Sequence, residues 1–306
     1  MTDMTPIVAS STPGSSGDAM ACTFQHLVEV GPGHWNIRGA LPMACGIVDI
    51  GCHMSLMRLK NGRFLVVDTI KLLPEIKSEI DELTQGGALM EACVATHPFH
   101  TLFFAPFSEA YPACKLVGTP RHIKRLTALR WDSPTVDQRL EEWATLGVQM
   151  RIPAGAEFVA PHEDNHFSSV FVFHEDSRSI FTDDTLMFYD PRHAGGLLNC
   201  ITCCTGVSNT LALHPSLTDG SRDTGLYPTA NAPAQFQDWF TNMLADWDFD
   251  TIVTAHTGCK VTHTHTHTTL HTHTHTQTHS LTRAFTHSLT LIHTRRWAGQ
   301  RRKLWS

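Results

Sequence analysis

The chain has 306 residues, 42% apolar and 17% charged, with 21 histidines and a formal charge of −6 at neutral pH. That apolar share supports a globular core and excludes wholesale disorder. No run of 18 or more apolar residues is present, which argues against a transmembrane helix. The histidines are unevenly placed, with nine of them between His263 and His293. Residues 261–306 carry six basic residues and no acid, giving +6, while the rest holds 17 basic against 29 acidic residues, giving −12. An acidic body argues against a nucleic-acid-binding surface. The expected partner is a small-molecule substrate, with no nucleic acid and no membrane, and the oligomeric state stays open.

Residues 1–22 are rich in Ser, Thr, Gly and Pro and read as a disordered leader. They have no basic n-region and no apolar h-region, so a secretory signal is not expected and the expected location is cytoplasmic. Residues 25–69 read as β-structure, with Ile47–Leu59 close to a strand pattern and Asn61-Gly62 as a hairpin turn. Arg63–Thr69 is a buried strand ending on Asp68, and residues 71–84 place Leu72, Leu73, Ile76, Ile80 and Leu83 at helical spacing. Gly86-Gly87 stops that helix. Ala92–Thr96 is an apolar strand ending at His97, Phe103–Ala110 suits a short helix, and Lys115–Gly118 is another strand. This alternation is α/β.

Farther on, Val136–Leu146 reads as a helix through Val136, Leu140 and Trp143. Ser168–His174 and Ser179–Thr182 form a hairpin, and His174, at its turn, reads as structural. Residues 191–230 read as a long loop. Residues 233–247 set Phe236, Trp239, Phe240, Met243, Leu244 and Trp247 on one helical stripe, a core face. Asp250–Ala255 is a strand ending at His256. Nine cysteines form no regular framework, and Cys200, Cys203 and Cys204 have no partner pair, so reduced cysteines are expected.

Asp68, His97, Asp183-Asp184 and His256 each stand at the C-terminal end of an apolar strand. In α/β sheets ligands bind beyond the carboxyl ends of strands. Imidazoles and carboxylates gathered there suit a metal site of the zinc, iron or manganese type.

The motifs in this order resemble the metallo-β-lactamase fold superfamily. Phe64-Leu-Val-Val-Asp68-Thr69 is similar to its "VLVDTG" strand, Ala95-Thr-His97-Pro-Phe-His100-Thr-Leu102 stands where it has H-x-H-x-D-H, and His166-Phe-Ser-Ser-Val170 stands where it has "HTPGS". Phe181-Thr-Asp-Asp184 is similar to its "FTGD", and Ala255-His256-Thr-Gly258 to its closing His. The resemblance covers about residues 24–260. It implies a four-layer αββα sandwich for a domain at 23–260, and a structural role for Asp68 beneath the site.

The second motif departs from the pattern. Phe99, Thr101 and Leu102 occupy the positions of its second His, its Asp and its last His, and His100 falls between the ligand positions. In the family that Asp and last His hold a second metal, so one ion is expected here. The expected ligands are His97, His100, His166, His256 and Asp184, with His162 the alternative to His166. A bound cation lowers the pKa of water to about 7 and polarises a carbonyl or phosphoryl group. The implied activity is metal-dependent hydrolysis of a small ester, thioester or lactone. Without an Asp at 101 the base comes from elsewhere: Asp183 is the nearest candidate, ahead of Glu163 and Asp164. The departure also admits a second reading, a catalytically inactive descendant that binds metal or a partner. Phe99, Phe103, Phe104 and Phe107 line an apolar substrate pocket or belong to the core. Thr119-Pro-Arg-His122 reads as a helix start.

Residues 263–276 alternate His and Thr, a composition that gives no face to bury. Such a tract collects zinc, copper or nickel in a third reading, metal sequestration. A CA-dinucleotide repeat translated in one frame gives the same alternation. Residues 261–306 are therefore expected to be a disordered low-complexity tail read from non-coding sequence.

Overall fold

Strands buried on both faces decide the architecture. The computed structural model describes residues 26–43, 48–156, 158, 169–190, 211–214, 225–227, 229–256 and 258–261. The leader, the His/Thr tract, His162, His166, Glu163, Asp164 and the Cys200–Cys204 cluster lie outside them. The first half supplies β1 (Val28–Gly31), β2 (His34–Gly39), β3 (Pro42–Met43), β4 (Val48–Asp49), β5 (Cys52–Arg58) and β6 (Phe64–Val67). Then follow α1 (Pro74–Thr84), β7 (Met90–Val94), α2 (Phe104–Ala110), β8 (Lys115–Val117) and α3 (Pro120–Arg125). The second half supplies β9 (Val148–Arg151), β10 (Phe171–His174), β11 (Ser179–Phe181), β12 (Leu186–Phe188), β13 (Leu211–Leu213), α4 (Ala232–Asp246), β14 (Thr251–Val253) and β15 (Cys259–Val261).

Two large sheets result, ordered β1-β2-β5-β6-β7-β8 and β15-β14-β11-β10-β9, beside the two-stranded pairs β12-β13 and β3-β4. Along β6, Leu65 and Val67 face the second sheet, while Phe64 and Val66 face the outer helical layer. This period-two split explains why the strand reads as an unbroken apolar run. Ile76 and Ile80 of α1 and Phe104 and Phe107 of α2 cover the outer face of the first sheet. Phe236, Phe240, Met243 and Leu244 of α4 cover that of the second, against Phe171 and Phe173. The layers are thus helix, sheet, sheet, helix, as the sequence motifs imply.

Local chemistry sets the boundaries. Pro74 opens α1 at a position that needs no N–H donor. The helix closes on Gln85 in the left-handed region, followed by Gly86 and Gly87 with positive φ. At the Asn61-Gly62 turn, Gly62 has φ 81° and Asn61 Oδ1 accepts from the Arg63 amide. Ile47–Leu59 is not one strand: Gly51 (φ 70°) separates β4 from β5, where a Cβ would collide with the Arg38 guanidinium.

Three further expectations are corrected. Val136–Leu146 is no α-helix but two 3-10 turns, Val136–Gln138 and Ala144–Leu146. Val136 and Trp143 still reach the inter-sheet core. Arg139 bonds Asp132 and Glu142 and holds the intervening chain in a turned path. Within 191–230, Leu211–Leu213 is a strand, paired antiparallel with β12; three residues are too short to carry a period. Cys259 is disulfide-bonded rather than reduced, while Cys52, Cys93 and Cys114 are free thiols.

Between the sheets, far from the strand ends that gather Asp and His, runs a buried hydrogen-bond chain. His174 Nε2 donates to the Arg58 carbonyl (2.9 Å), so the neutral ring accepts at Nδ1 from the Ser177 hydroxyl (2.7 Å). Ser177 must then accept from Ser179 (2.5 Å), and Ser179 from His34 Nδ1 (2.5 Å). Every proton points one way, and both rings are neutral. Burial pulls His34 well below its ordinary pKa, and neighbouring His174 adds to this. Burial also lowers His174, against the opposing pull of the Arg58 carbonyl, Asp176 and Glu175. The unfolded chain binds these protons below about pH 6.5 and the folded chain does not. Stability from this pair is therefore complete above about pH 6.5 and falls as pH drops through that value. The urea midpoint should decline between pH 7 and pH 5, and His34→Gln should flatten the decline; an unchanged slope in the variant contradicts this reading.

Candidate metal centre

Parallel pairing aims the polar strand ends at one another. β6 runs parallel to β7, and β11 parallel to β14, so Asp68 and His97 leave one sheet where Asp183 and His256 leave the other. Beyond β7 the chain turns tightly, with the His100 amide on the His97 carbonyl (3.2 Å) and the Thr101 amide on that of Phe99 (2.9 Å). This turn brings the His97 and His100 rings to 4.4 Å between centroids. Beyond β11, Asp183–Thr185 forms a 3-10 turn that begins with Asp183 at φ 52°. Asp is one of the few side chains that tolerate the left-handed region. The family motif has Gly at this position, so this chain carries a carboxyl where the pattern carries none.

His97, His100, Asp183 and Asp184 offer ligand atoms that all lie within 4.8 Å of one another. His100 Nδ1 is 3.0 Å from Asp183 Oδ1, and its Nε2 is 3.2 Å from Asp184 Oδ2. His97 Nε2 is 3.7 Å from Asp184 Oδ2. His256 joins from β14: its Nδ1 faces the Gly51 carbonyl, and its Nε2 stands 3.2 Å from Asp184 Oδ1. With Nδ1 donating to Gly51, Nε2 is the ring atom turned towards Asp184. Of the expected residues, the fold therefore assembles His97, His100, Asp183, Asp184 and His256, while His166 falls outside the described residues.

Charge balance follows from the packing. Burial alone would raise the Asp183 carboxyl, but His100 outweighs it and holds the group well below the usual carboxylate range. Asp184 is likewise depressed, with His256 and His100 outweighing its burial. Burial would lower His100, and the two carboxylates instead hold it well above its ordinary value. Asp68 goes the other way: burial and the nearby Asp183 push its carboxyl well above the usual carboxylate range. The Thr96 hydroxyl bridges the two, contacting Asp68 Oδ2 and, at 2.6 Å, Asp183 Oδ2, while the Thr96 amide donates to Asp68 Oδ1 (2.9 Å). Asp68 thus sits beneath the cluster and ties strand ends of both sheets.

The donor set suits a cation. Asp183 Oδ1 and Asp184 Oδ1 are buried beside imidazole nitrogens yet accept no aligned hydrogen bond. Such atoms are rare in native interiors and call for a partner such as an ion. Imidazole nitrogen and carboxylate oxygen are the ligands of zinc, iron and manganese.

No protein-family profile and no curated protein matches the sequence. Solved structures do resemble the fold. VMB-1 aligns at TM-score 0.52 and 12% identity, over 88% of this chain and 96% of its own. A fragment from Nostoc sp. PCC 7120 described as a diflavin flavoprotein aligns at 0.53 and 10%, over 88% and 97%. A metallo-β-lactamase from Erythrobacter litoralis aligns at 0.49 and 14%, over 91% and 96%. This chain has the metallo-β-lactamase fold. Within that fold, Asp68, His97, Asp184 and His256 stand at the strand ends where the sequence motifs place them.

Some supports of the site carry no sequence signal. Thr96 is an ordinary strand residue until its hydroxyl meets two carboxyls. His122 caps the His100 loop, its Nε2 donating to the His100 carbonyl (3.0 Å) and its Nδ1 meeting the Thr119 hydroxyl (2.8 Å). Burial lowers it to about 4, so it stays neutral. Its helix start was readable; its target was not. The phenylalanines divide: Phe104 and Phe107 are core, while Phe99 and Phe103 line a cavity. Arg121 stacks 3.9 Å over Phe99. Thr96→Val removes the one hydroxyl between two buried carboxyls and is expected to destabilise the fold by about 1–3 kcal/mol. Chemical denaturation checks this, and an unchanged midpoint would contradict the bridging role.

Proposed function

We propose that this chain is a metal-dependent hydrolase of a small ester, thioester or lactone. The observation that carries the reading is the convergence of buried His97, Asp183 and Asp184 with half-buried His100 at facing strand ends. His97, His100, Asp184 and His256 would hold one zinc, iron or manganese ion, with His166 added by the sequence motif. Such an ion supplies Lewis acidity, polarising a carbonyl and lowering the pKa of water towards about 7. The Gly51 carbonyl orients the His256 ring by accepting from its Nδ1, a task that outer partners perform in metal sites.

Asp183 is assigned the proton-accepting role. Thr96 fixes its Oδ2 and leaves Oδ1 facing the cluster. Its carboxylate takes the place of the Asp that the motif lacks at position 101. General-base assistance of this kind contributes roughly 10²–10⁴-fold to rate.

Kinetics with metal content measured on the same samples tests the assignment. Chelation should abolish ester or thioester hydrolysis, and one equivalent of zinc, iron or manganese should restore it. Asp184→Asn is expected to lose both metal and activity. Asp183→Asn is expected to keep the metal and lose about 10²–10⁴-fold in kcat. Release of the metal by Asp183→Asn would make Asp183 a ligand instead, and activity that survives complete metal removal would overturn the reading.

A further inference from the structure

A cavity of about 200 Å³ opens beside the His/Asp cluster. Leu41, Phe99, Leu102, Phe103 and Ala255 form its apolar wall, and His100 and His256 stand in the same lining. Among the described lining residues there is no Lys or Arg, and the one carboxyl is that of Asp68, already engaged by Thr96. The Cys52 thiol in the wall is pushed by burial up to about 12 and carries no charge at neutral pH. A charged group seated against the Leu41, Phe99, Leu102, Phe103 and Ala255 wall would lose water without a counter-charge from the wall itself. An apolar group would lose nothing comparable and would gain contact with the wall.

The wall is built by the stretch where the second motif departs from its pattern. Thr101 and Leu102, which replace an Asp and a His, both line the cavity. The side of the site that could have gathered more metal ligands is instead an apolar recess. Its size also selects. An apolar protein cavity of roughly 150 Å³ accommodates benzene, so this one has room for a ring with a small substituent, or for a short branched chain.

We infer that the cavity takes an uncharged aryl or short branched acyl group, which makes the substrate a neutral ester or thioester with its carbonyl beside His100 and His256. This rests on the hydrolase reading for the chemical step, while occupancy of the cavity does not need the metal. Leu102 is 66% exposed, so a polar side chain there removes little buried packing. It is the position at which to change the wall without unfolding the chain.

The test has a binding arm and a turnover arm, both on the full chain. Benzamide and acetamide are titrated by ligand-observed NMR, with and without one equivalent of zinc. Benzamide is expected to bind at least tenfold more tightly than acetamide in both states, and Leu102→Asp is expected to weaken it by at least tenfold. In the zinc-loaded chain, 4-nitrophenyl benzoate should be hydrolysed with a kcat/KM at least tenfold above the acetate and above the anionic hemisuccinate. Equal affinity for the two amides, or benzamide binding unchanged by Leu102→Asp, overturns the inference. Leu102-dependent benzamide binding without turnover of any ester supports the occupant and overturns the hydrolase reading, so the two failures are distinguishable.

Discussion

Two adjacent carboxylates, Asp183 and Asp184, are buried together at the end of β11. Ionised groups out of water need partners of opposite charge, because desolvation costs several kcal/mol per ion. His100 and His256 stand where the partners must be, and a divalent cation would answer the same demand more fully. The rest of the site is arranged around this constraint. Burial and Asp183 push the Asp68 carboxyl up, which disfavours a third negative charge, and Thr96 spans the gap between it and Asp183. Neutral His122 anchors the loop that carries His100.

Topology makes this cluster possible. In the parallel pairs β6–β7 and β11–β14 both strands end at the same edge of their sheet, and these are the strands that deliver Asp68, His97, Asp183-Asp184 and His256. The antiparallel strands hold those pairs in register, and the outer helices seal the far faces. The apolar recess beside the cluster is the complement of the same design. One wall of the site is charged and orienting; the other is hydrophobic, as in pockets where a few polar groups set orientation.

Much of this was legible before any coordinates. β6, β7, β11, β14, α1 and α4 follow from apolar runs and helical spacing, because strands buried on two faces and a broad core stripe leave strong patterns. The strand-end residues were legible for the same reason. The 3-10 turns at 136–146 were not, because Val136, Leu140 and Trp143 satisfy a helical period while Arg139 ties the backbone into another path. β13 was too short to show a period. Thr96 and the Gly51 carbonyl left no trace, since their roles arise from contacts between distant segments. Asp183 was visible as a residue, but its left-handed backbone was not.

The basic His/Thr tract competes with the strand-end cluster as the place where a metal would bind, so the central claim concerns the body of the chain. Its most direct test is the metal content and X-ray absorption spectrum of a chain ending at Lys260, after exposure to zinc and removal of excess. The account predicts about one zinc per chain, bound by nitrogen and oxygen ligands at roughly 2.0–2.2 Å. A folded truncated chain that retains no zinc, while the full chain retains several equivalents, would contradict it.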